Sequence, residues 1–392
     1  MSKKVAILGS TGSIGRNAIE VISALSPAFE VVAMSAHSNV DLFCRQVGRV
    51  RPRYAAMTHP AAAQECRQRL AGTGCQVLVG PESMVEIASL DEVDIVLCAV
   101  VGAAGLPAVL AAAKAGKTLA IANKEPLVIA GQLLTETARR SGATILPIDS
   151  EHSAVFQAMQ AGNADEVERV ILTGSGGPFR TATVEQMRNA TLEQALNHPI
   201  WTMGPKITID SATMMNKALE VIEAVWLFGL PVEKIDVMIH PESVVHSMVE
   251  FVDGSIIAQL GTPDMKLPIQ YALTYPKRVR GIADRLQLDR LGKLRFELPD
   301  LKKFRALALG FETARRGGSA PVVFNAANEA AVEAFLAGGI SFGCIVELIE
   351  YCLDTHTSRT HLSLEELLSI DAWARQEAAR RLAASPKTII AQ

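Results

Sequence analysis

The chain is poor in aromatic residues, with Phe, Trp and Tyr making up 5% of its 392 residues. An all-β sandwich leans on aromatics more heavily, so a chain rich in Ala, Val, Ile and Leu points to α/β layers. It also lacks an excess of charge. Lys and Arg number 38 against 41 Asp and Glu, a formal net charge of −3. That excludes the broad cationic surface of nonspecific nucleic-acid binding and leaves room only for a local basic pocket. No apolar run reaches the roughly 18–20 residues of a membrane span, so no membrane association is expected. The six cysteines, at 44, 66, 75, 98, 344 and 352, include no CxxC pair. They read as reduced thiols of a cytoplasmic protein, not as a disulfide framework or a zinc site. Met1 to Val5 runs straight into a strand-like segment, and no cleavable leader is expected. What the chain does have is length and apolar content. With 49% hydrophobic and 20% charged residues, disorder is excluded and two or three domains with sizeable cores are expected.

The expected fold class is α/β: an N-terminal doubly wound parallel sheet (Rossmann-like), a central α/β catalytic domain and a C-terminal helical bundle. Strand-like segments at 4–8, 29–34, 55–57, 77–79, 95–101, 118–121 and 144–148 alternate with helical ones, notably 106–115 and 131–141. This gives a first domain over 1–149. A second, 150–280, carries further strand candidates at 170–173, 235–240, 247–251 and 254–260. Residues 281–301, with weak periodicity, read as a linker. Helical periodicity at 304–316, 325–338, 342–355 and 364–384 makes 302–392 a small bundle.

Gly9, Gly12 and Gly15 follow the first strand and open a helix. A glycine turn there lets backbone N–H groups and the helix dipole receive a pyrophosphate, although the spacing is GxxGxxG rather than GxGxxG. After the second strand stands Met34-Ser-Ala-His-Ser-Asn39. No carboxylate waits there for a ribose 2′-hydroxyl, and Ser35, His37, Ser38 and Asn39 suit a 2′-phosphate, so NADP is favoured over NAD. His37 reads equally well as a solvated loop histidine.

Three polar segments interrupt apolar patterns. Asn123, Lys124 and Glu125 follow a strand, at the edge where doubly wound sheets bind ligands; a capped helix start would look the same. Asp149 and Glu151, with Ser150 and His152 beside them, suit a hard divalent cation or an ordinary turn. In Asp210–Glu220, Ser211 fits a helix N-cap, Asn216 and Glu220 stand four apart, and Lys217 lies on the same flank. The neighbours Met214, Met215, Leu219, Val221 and Ile222 leave a narrow polar face, which favours a pocket over a solvated Lys217–Glu220 pair. Thr173-Gly-Ser-Gly-Gly-Pro178 offers backbone N–H groups and the Ser175 hydroxyl to a phosphate. His198–Gly204, with Trp201 and Met203, reads as core packing or as a lid that excludes water.

Together these segments closely resemble the 1-deoxy-D-xylulose 5-phosphate reductoisomerase family of non-mevalonate isoprenoid biosynthesis. The matching motifs are GSTGSIG (9–15), ANKE (122–125), DSEHSA (149–154), LTGSGGPF (172–179), HPIWTMGPKITIDSATMMNK (198–217), HPESVVHSMV (240–249) and NAANEAAVEAFL (325–336). The resemblance implies rearrangement and NADPH reduction of 1-deoxy-D-xylulose 5-phosphate to 2-C-methyl-D-erythritol 4-phosphate, by a retro-aldol/aldol route. It implies Asp149, Glu151 and Glu220 as ligands of Mg2+, Mn2+ or Co2+. Ser175, Ser211, Asn216 and Lys217 would hold the substrate phosphate, with His198 nearby; Lys124, Ser150 and Glu151 would contact its carbonyl and hydroxyl end. Thr11, Gly12, Ser13, Ile14, Asn39, Asn123, Glu125 and Gly204 would line the NADPH site, and Trp201 and Met203 would belong to a mobile flap over 198–207. A homodimer is a family expectation. One departure is visible: the family often has Gly-Lys-Asn where this chain has His37-Ser38-Asn39.

The chemistry suits the residues themselves. A cation held by carboxylates polarises a carbonyl and its neighbouring hydroxyl together, with Lys124 and Glu151 assisting proton movement. An acylating semialdehyde dehydrogenase would need an activated Cys, and none lies in 122–220. A regulatory NADP-binding protein would not need Asp149, Glu151 and Glu220 together.

Overall fold

The computed structural model describes residues 2–384; the end of the expected 302–392 segment, from 385 on, lies outside the described residues. In chain order the elements begin β1 (Lys3–Leu8), α1 (Ser13–Ala24), β2 (Phe29–Ala36), α2 (Val40–Val50), β3 (Tyr54–Met57), α3 (Pro60–Arg69) and β4 (Gln76–Val79). They continue with α4 (Glu82–Ser89), β5 (Ile95–Cys98), α5 (Leu106–Lys114), β6 (Thr118–Ile121), α6 (Glu125–Ser141), β7 (Thr144–Pro147) and α7 (Ser150–Ala158). Then come β8 (Val167–Gly174), α8 (Val184–Arg188), α9 (Leu192–Leu196), α10 (Pro205–Thr213), α11 (Met215–Phe228), β9 (Ile235–Ile239), β10 (Val245–Phe251) and β11 (Ile256–Leu260). The last are α12 (Lys266–Thr274), α13 (Arg305–Arg316), α14 (Ala320–Leu336), α15 (Phe342–Thr355) and α16 (Leu364–Ala384). The described residues group into two compact units. The first takes residues up to 126, 134–153 and 264–284, and the second 127–133, 154–263 and those from 285 on.

The first unit is built on a sheet ordered β4-β3-β2-β1-β5-β6-β7, with every pairing parallel. Strands covered on both faces read as unbroken apolar runs rather than alternations. Val5 to Leu8 and Ile95 to Cys98 are such runs, each residue at most 1% exposed. β1 has β2 on one side and β5 on the other, so the winding reverses beside the glycine turn; ligands bind at that reversal, outside the carboxyl ends of the strands. α12 packs on α1, β6 and β7 of this sheet, with Lys266 Nζ 3.2 Å from Glu20.

The second unit holds a sheet ordered β11-β10-β8-β9, antiparallel except for the parallel β8–β9 pair. Its helices are packed closely. A Cβ on Gly310 of α13 would stand 2.6 Å from the Ala218 Cβ of α11, so only glycine permits that approach. α14 is buried on nearly every side, the property of a bundle's central helix. It starts at Ala320, earlier than the periodicity suggests, because Pro321 sits in the first turn, where its missing N–H costs nothing. Residues 285–304 carry no long element but are tied down. Glu297 bridges to Ile239, and the ring of His240 stacks on Phe296 with centroids 4.8 Å apart.

The reading of Ser211 as an N-cap is corrected. Ser211 lies inside α10, and the chain breaks three residues later, where Met214 takes a left-handed conformation with φ 63° before α11 begins. An apolar, unpunctuated Met-Met sequence gave no sign of that break.

Candidate active site

At the glycine turn the three glycines have different reasons. Gly9 has φ +85° and its Cβ would meet the Ala99 carbonyl oxygen at 2.5 Å; no other residue fits. A Cβ on Gly15 would lie 2.4 Å from Gly9 O, so Gly15 lets α1 close onto β1. Gly12 has an ordinary conformation, φ −70° and ψ 172°, and its Cβ would meet nothing nearer than 3.5 Å. The fold itself does not require glycine there, and the open space at Gly12 lies at the N-terminus of α1, where an anion can be received. The turn is held from behind by residues that the motif does not contain. Ser35 O accepts from Ser10 N at 2.8 Å, and the buried Ser10 and Gln46 side chains bond each other, with Gln46 Nε2 donating to Ser10 O at 2.8 Å. Thr11 and Gly12 lie in this turn, and Ser13 and Ile14 open α1. Asn39 caps α2, its Oδ1 accepting from Leu42 N at 3.1 Å. His37 is exposed and bonds Thr58 Oγ1 at 2.8 Å.

On the same carboxyl edge, two strands further along, the loop after β6 brings Asn123 and Lys124. β7 is the parallel neighbour of β6, so its own exit places Asp149 beside them. Lys124 Nζ stands 2.5 Å from Asp149 Oδ2, with the residues 7% and 8% exposed. The other Asp149 oxygen accepts from Glu151 N at 3.1 Å and His152 N at 3.3 Å, which is the work of an N-cap for α7. Ser150 Oγ donates to Glu151 Oε2 at 2.6 Å. Glu125 is buried in the first turn of α6. The side-chain oxygen and nitrogen of Asn123 are buried and have no hydrogen-bond partner. A buried amide left so is costly, and a polar ligand at this edge would satisfy it.

In the second unit, the turn after β8 meets the break between α10 and α11. A Cβ on Gly174 would press on Lys217 Cε at 3.0 Å, and one on Gly177 (φ +63°) would reach Ser211 O at 2.6 Å. Ser175 Oγ lies 3.2 Å from His198 Nε2. His198 Nδ1 accepts from the backbone N–H of Ile200 and Trp201, at 3.2 and 2.9 Å, so the neutral ring carries its proton on Nε2. Burial holds its pKa below the usual histidine value. In the first turns of α11, Asn216 Nδ2 donates to Glu220 Oε1 at 2.6 Å and Lys217 Nζ donates to Glu220 Oε2. Lys217 is 3% and Glu220 0% exposed, so this pair is not a solvated one. An ammonium and an amide, both engaged by Glu220, thus stand at a helix N-terminus beside a glycine loop, an arrangement that can receive an anion. Trp201 and Met203 are half-buried, and Gly204 is exposed and precedes α10.

Asp149, Glu151 and Glu220 offer carboxylate oxygens that lie within 4.8 Å of one another, a group that fits a metal ion. Three hard oxygen donors match Mg2+ or Mn2+ rather than a soft metal.

Comparison with known proteins decides the family. Family models described as 1-deoxy-D-xylulose 5-phosphate reductoisomerase and its C-terminal domains match residues 5–131, 145–228 and 260–377. A 1-deoxy-D-xylulose 5-phosphate reductoisomerase from Chloroherpeton thalassium is 50% identical over 374 residues, 95% of this chain and 97% of its own. The chain belongs to the 1-deoxy-D-xylulose 5-phosphate reductoisomerase family. A second reductoisomerase, from Geotalea uraniireducens, is 50% identical over 96% of this chain and 97% of its own. Among solved structures, the Zymomonas mobilis reductoisomerase in complex with NADPH matches with TM-score 0.93 at 43% identity, covering 98% of this chain and 100% of its own. A reductoisomerase in complex with NADPH, fosmidomycin and magnesium matches with TM-score 0.93 at 44% identity, covering 97% and 98%. The family resemblance and the α/β fold class read from the sequence are borne out.

Proposed function

We propose that this chain converts 1-deoxy-D-xylulose 5-phosphate to 2-C-methyl-D-erythritol 4-phosphate in non-mevalonate isoprenoid biosynthesis, using NADPH and a divalent cation. The observation that carries this reading is 50% identity to a named reductoisomerase over 95% of this chain and 97% of the relative. When bound, the cation polarises the substrate's carbonyl and adjacent hydroxyl, and NADPH supplies hydride.

The residues divide the work as follows. Thr11, Gly12, Ser13, Ile14, Asn39, Asn123, Glu125 and Gly204 line the NADPH site; the orphaned Asn123 amide and the unobstructed Gly12 support this. Asp149, Glu151 and Glu220 hold Mg2+, Mn2+ or Co2+. Ser175, His198, Ser211, Asn216 and Lys217 bind the phosphate, whose remote binding energy helps the 198–207 segment, with Trp201 and Met203, close over the substrate and exclude water. Lys124 and Ser150 orient the carbonyl and hydroxyl end, and Lys124 and Glu151 move protons there. The first unit then serves cofactor binding; in the second, the four-stranded sheet with α10 and α11 serves catalysis and the helices α13 to α16 support it. An acylating dehydrogenase is disfavoured further, because burial pushes the Cys98 thiol up to about 12 and leaves it inert.

We assign the protein to the cytoplasm, supported by six free thiols; among the described residues no helix is long and apolar enough to cross a membrane. A homodimer is supported by β11, an edge strand with Ile256 51% and Ile257 39% exposed. The deciding assay adds 1-deoxy-D-xylulose 5-phosphate and Mn2+ to enzyme and NADPH. Absorbance of NADPH falls, and EDTA stops the fall. Fresh, metal-loaded enzyme that consumes no NADPH would overturn the reading.

A further inference from the structure

The NAANE segment at 325–329 has no part in the site as described, yet one of its side chains reaches a neighbour of a proposed phosphate ligand. Asn328 lies in α14 with 0% exposure, and its Nδ2 donates to Asp210 Oδ1 at 3.0 Å, across 118 positions of sequence. Asp210 is 1% exposed, and its other oxygen lies 2.8 Å from Lys206 Nζ, one turn earlier in α10. A buried carboxylate is tolerated only where its oxygens are engaged. Lys206 belongs to the same helix and cannot say where that helix lies. Asn328 comes from another helix and can. α10 matters at both ends. Its N-terminus takes over from the segment holding Trp201 and Met203. Its last turn holds Ser211, whose carbonyl abuts the Gly177 turn, and the left-handed Met214 then opens α11 with Asn216 and Lys217.

We infer that Asn328 is a positioning residue, fixing α10 through Asp210 so that Ser211 keeps its place in the phosphate cup. The inference rests on the phosphate role proposed for Ser211. Asn328→Leu removes the donor at similar volume. In the full-length enzyme it raises the KM for 1-deoxy-D-xylulose 5-phosphate about tenfold, the scale of one buried hydrogen bond to a charged group, and changes kcat less than about twofold. The NADPH dissociation constant, read by fluorescence, does not move. Because the effect passes through Ser211, it does not add to that of Ser211→Ala. In the Ser211→Ala background Asn328→Leu costs less than about twofold in KM, whereas independent effects would multiply. If the leucine variant does not fold, Asn328→Ala, which also lacks the donor and suits a helix, carries the same readouts. A folded variant with unchanged KM, an undiminished effect in the Ser211→Ala background, or an equal loss of NADPH affinity overturns the inference. Wild-type enzyme without turnover would instead overturn the proposed reaction.

Discussion

The glycine turn after β1 and the junction of α10 with α11 are both proposed to receive phosphate groups, and they are built in opposite ways. The turn uses backbone and missing side chains: Gly12 leaves room, and Ser35 and Gln46 brace the loop from behind. No charge has to be buried in it. The junction uses charged side chains, and it buries them. Lys217, 3% exposed, would be costly alone, and Glu220 neutralises it. A site made of amides can wait empty, whereas a site made of buried charge needs a partner while it waits. On the proposed reading Glu220 therefore has two duties, neutralising Lys217 and contributing an oxygen to the acidic group that could hold a metal ion.

The sharpest way to break this contrast is Glu220→Gln. The amide keeps the shape and loses the charge. Turnover is expected to fall by about a thousandfold or more, the scale of losing several kcal/mol of metal-borne stabilisation. The melting temperature should fall too, since a buried Lys217 loses its counter-charge. NADPH affinity, measured by fluorescence, should stay put. A near-normal rate would remove Glu220 from the metal site, and an unchanged melting temperature would remove the neutralising duty.

Next in size is a pair of substitutions within the turn. Gly15→Ala forces a Cβ to 2.4 Å from Gly9 O, so it should lower stability by about 1–3 kcal/mol and weaken NADPH binding with it. Gly12→Ala meets no close contact and keeps a permitted conformation. It should leave stability equal or about 0.4–1 kcal/mol higher, through the unfolded chain, yet still weaken NADPH binding. If Gly12→Ala binds NADPH as the wild type does, the opening at Gly12 is not for the cofactor.

The same contrast explains what was legible in the sequence. Glycine spacing after an apolar strand is a local signal, and Gly9 to Gly15 could be read directly. So could the pairing of Asn216, Lys217 and Glu220, since helical spacing alone puts them together. The break at Met214 could not, because a left-handed methionine has no sequence mark and tertiary packing imposes it. That is why Ser211 read as an N-cap and α10 went unseen. The braces Ser35 and Gln46, and Asn328 with Asp210, were hidden for another reason: each is a long-range partnership between residues that look ordinary in their own helix or strand. Short helices such as α8 and α9 were missed because five residues give too little periodicity.

The smallest expected effect concerns His198, the histidine of the proposed phosphate cup, for which the glycine turn has no counterpart. Its Nδ1 accepts from two backbone N–H groups and its Nε2–H reaches Ser175. Protonating Nδ1 would break both acceptances, and burial alone already lowers the pKa from its ordinary 6.5. The sign follows from linkage: the unfolded chain takes up this proton at a higher pH than the folded one. The stability carried by the neutral ring is therefore complete above about pH 6.5 and is lost as pH falls from there through the lower folded value. His198→Gln has no such proton to take up. Between about pH 7 and 5.5, the wild-type melting temperature should drop more than that of the variant, and the gap should close on the alkaline side. Parallel curves would mean that the ring is not held neutral by its surroundings. The cup would then be able to carry an imidazolium while empty, which a site already obliged to neutralise Lys217 is not built to do.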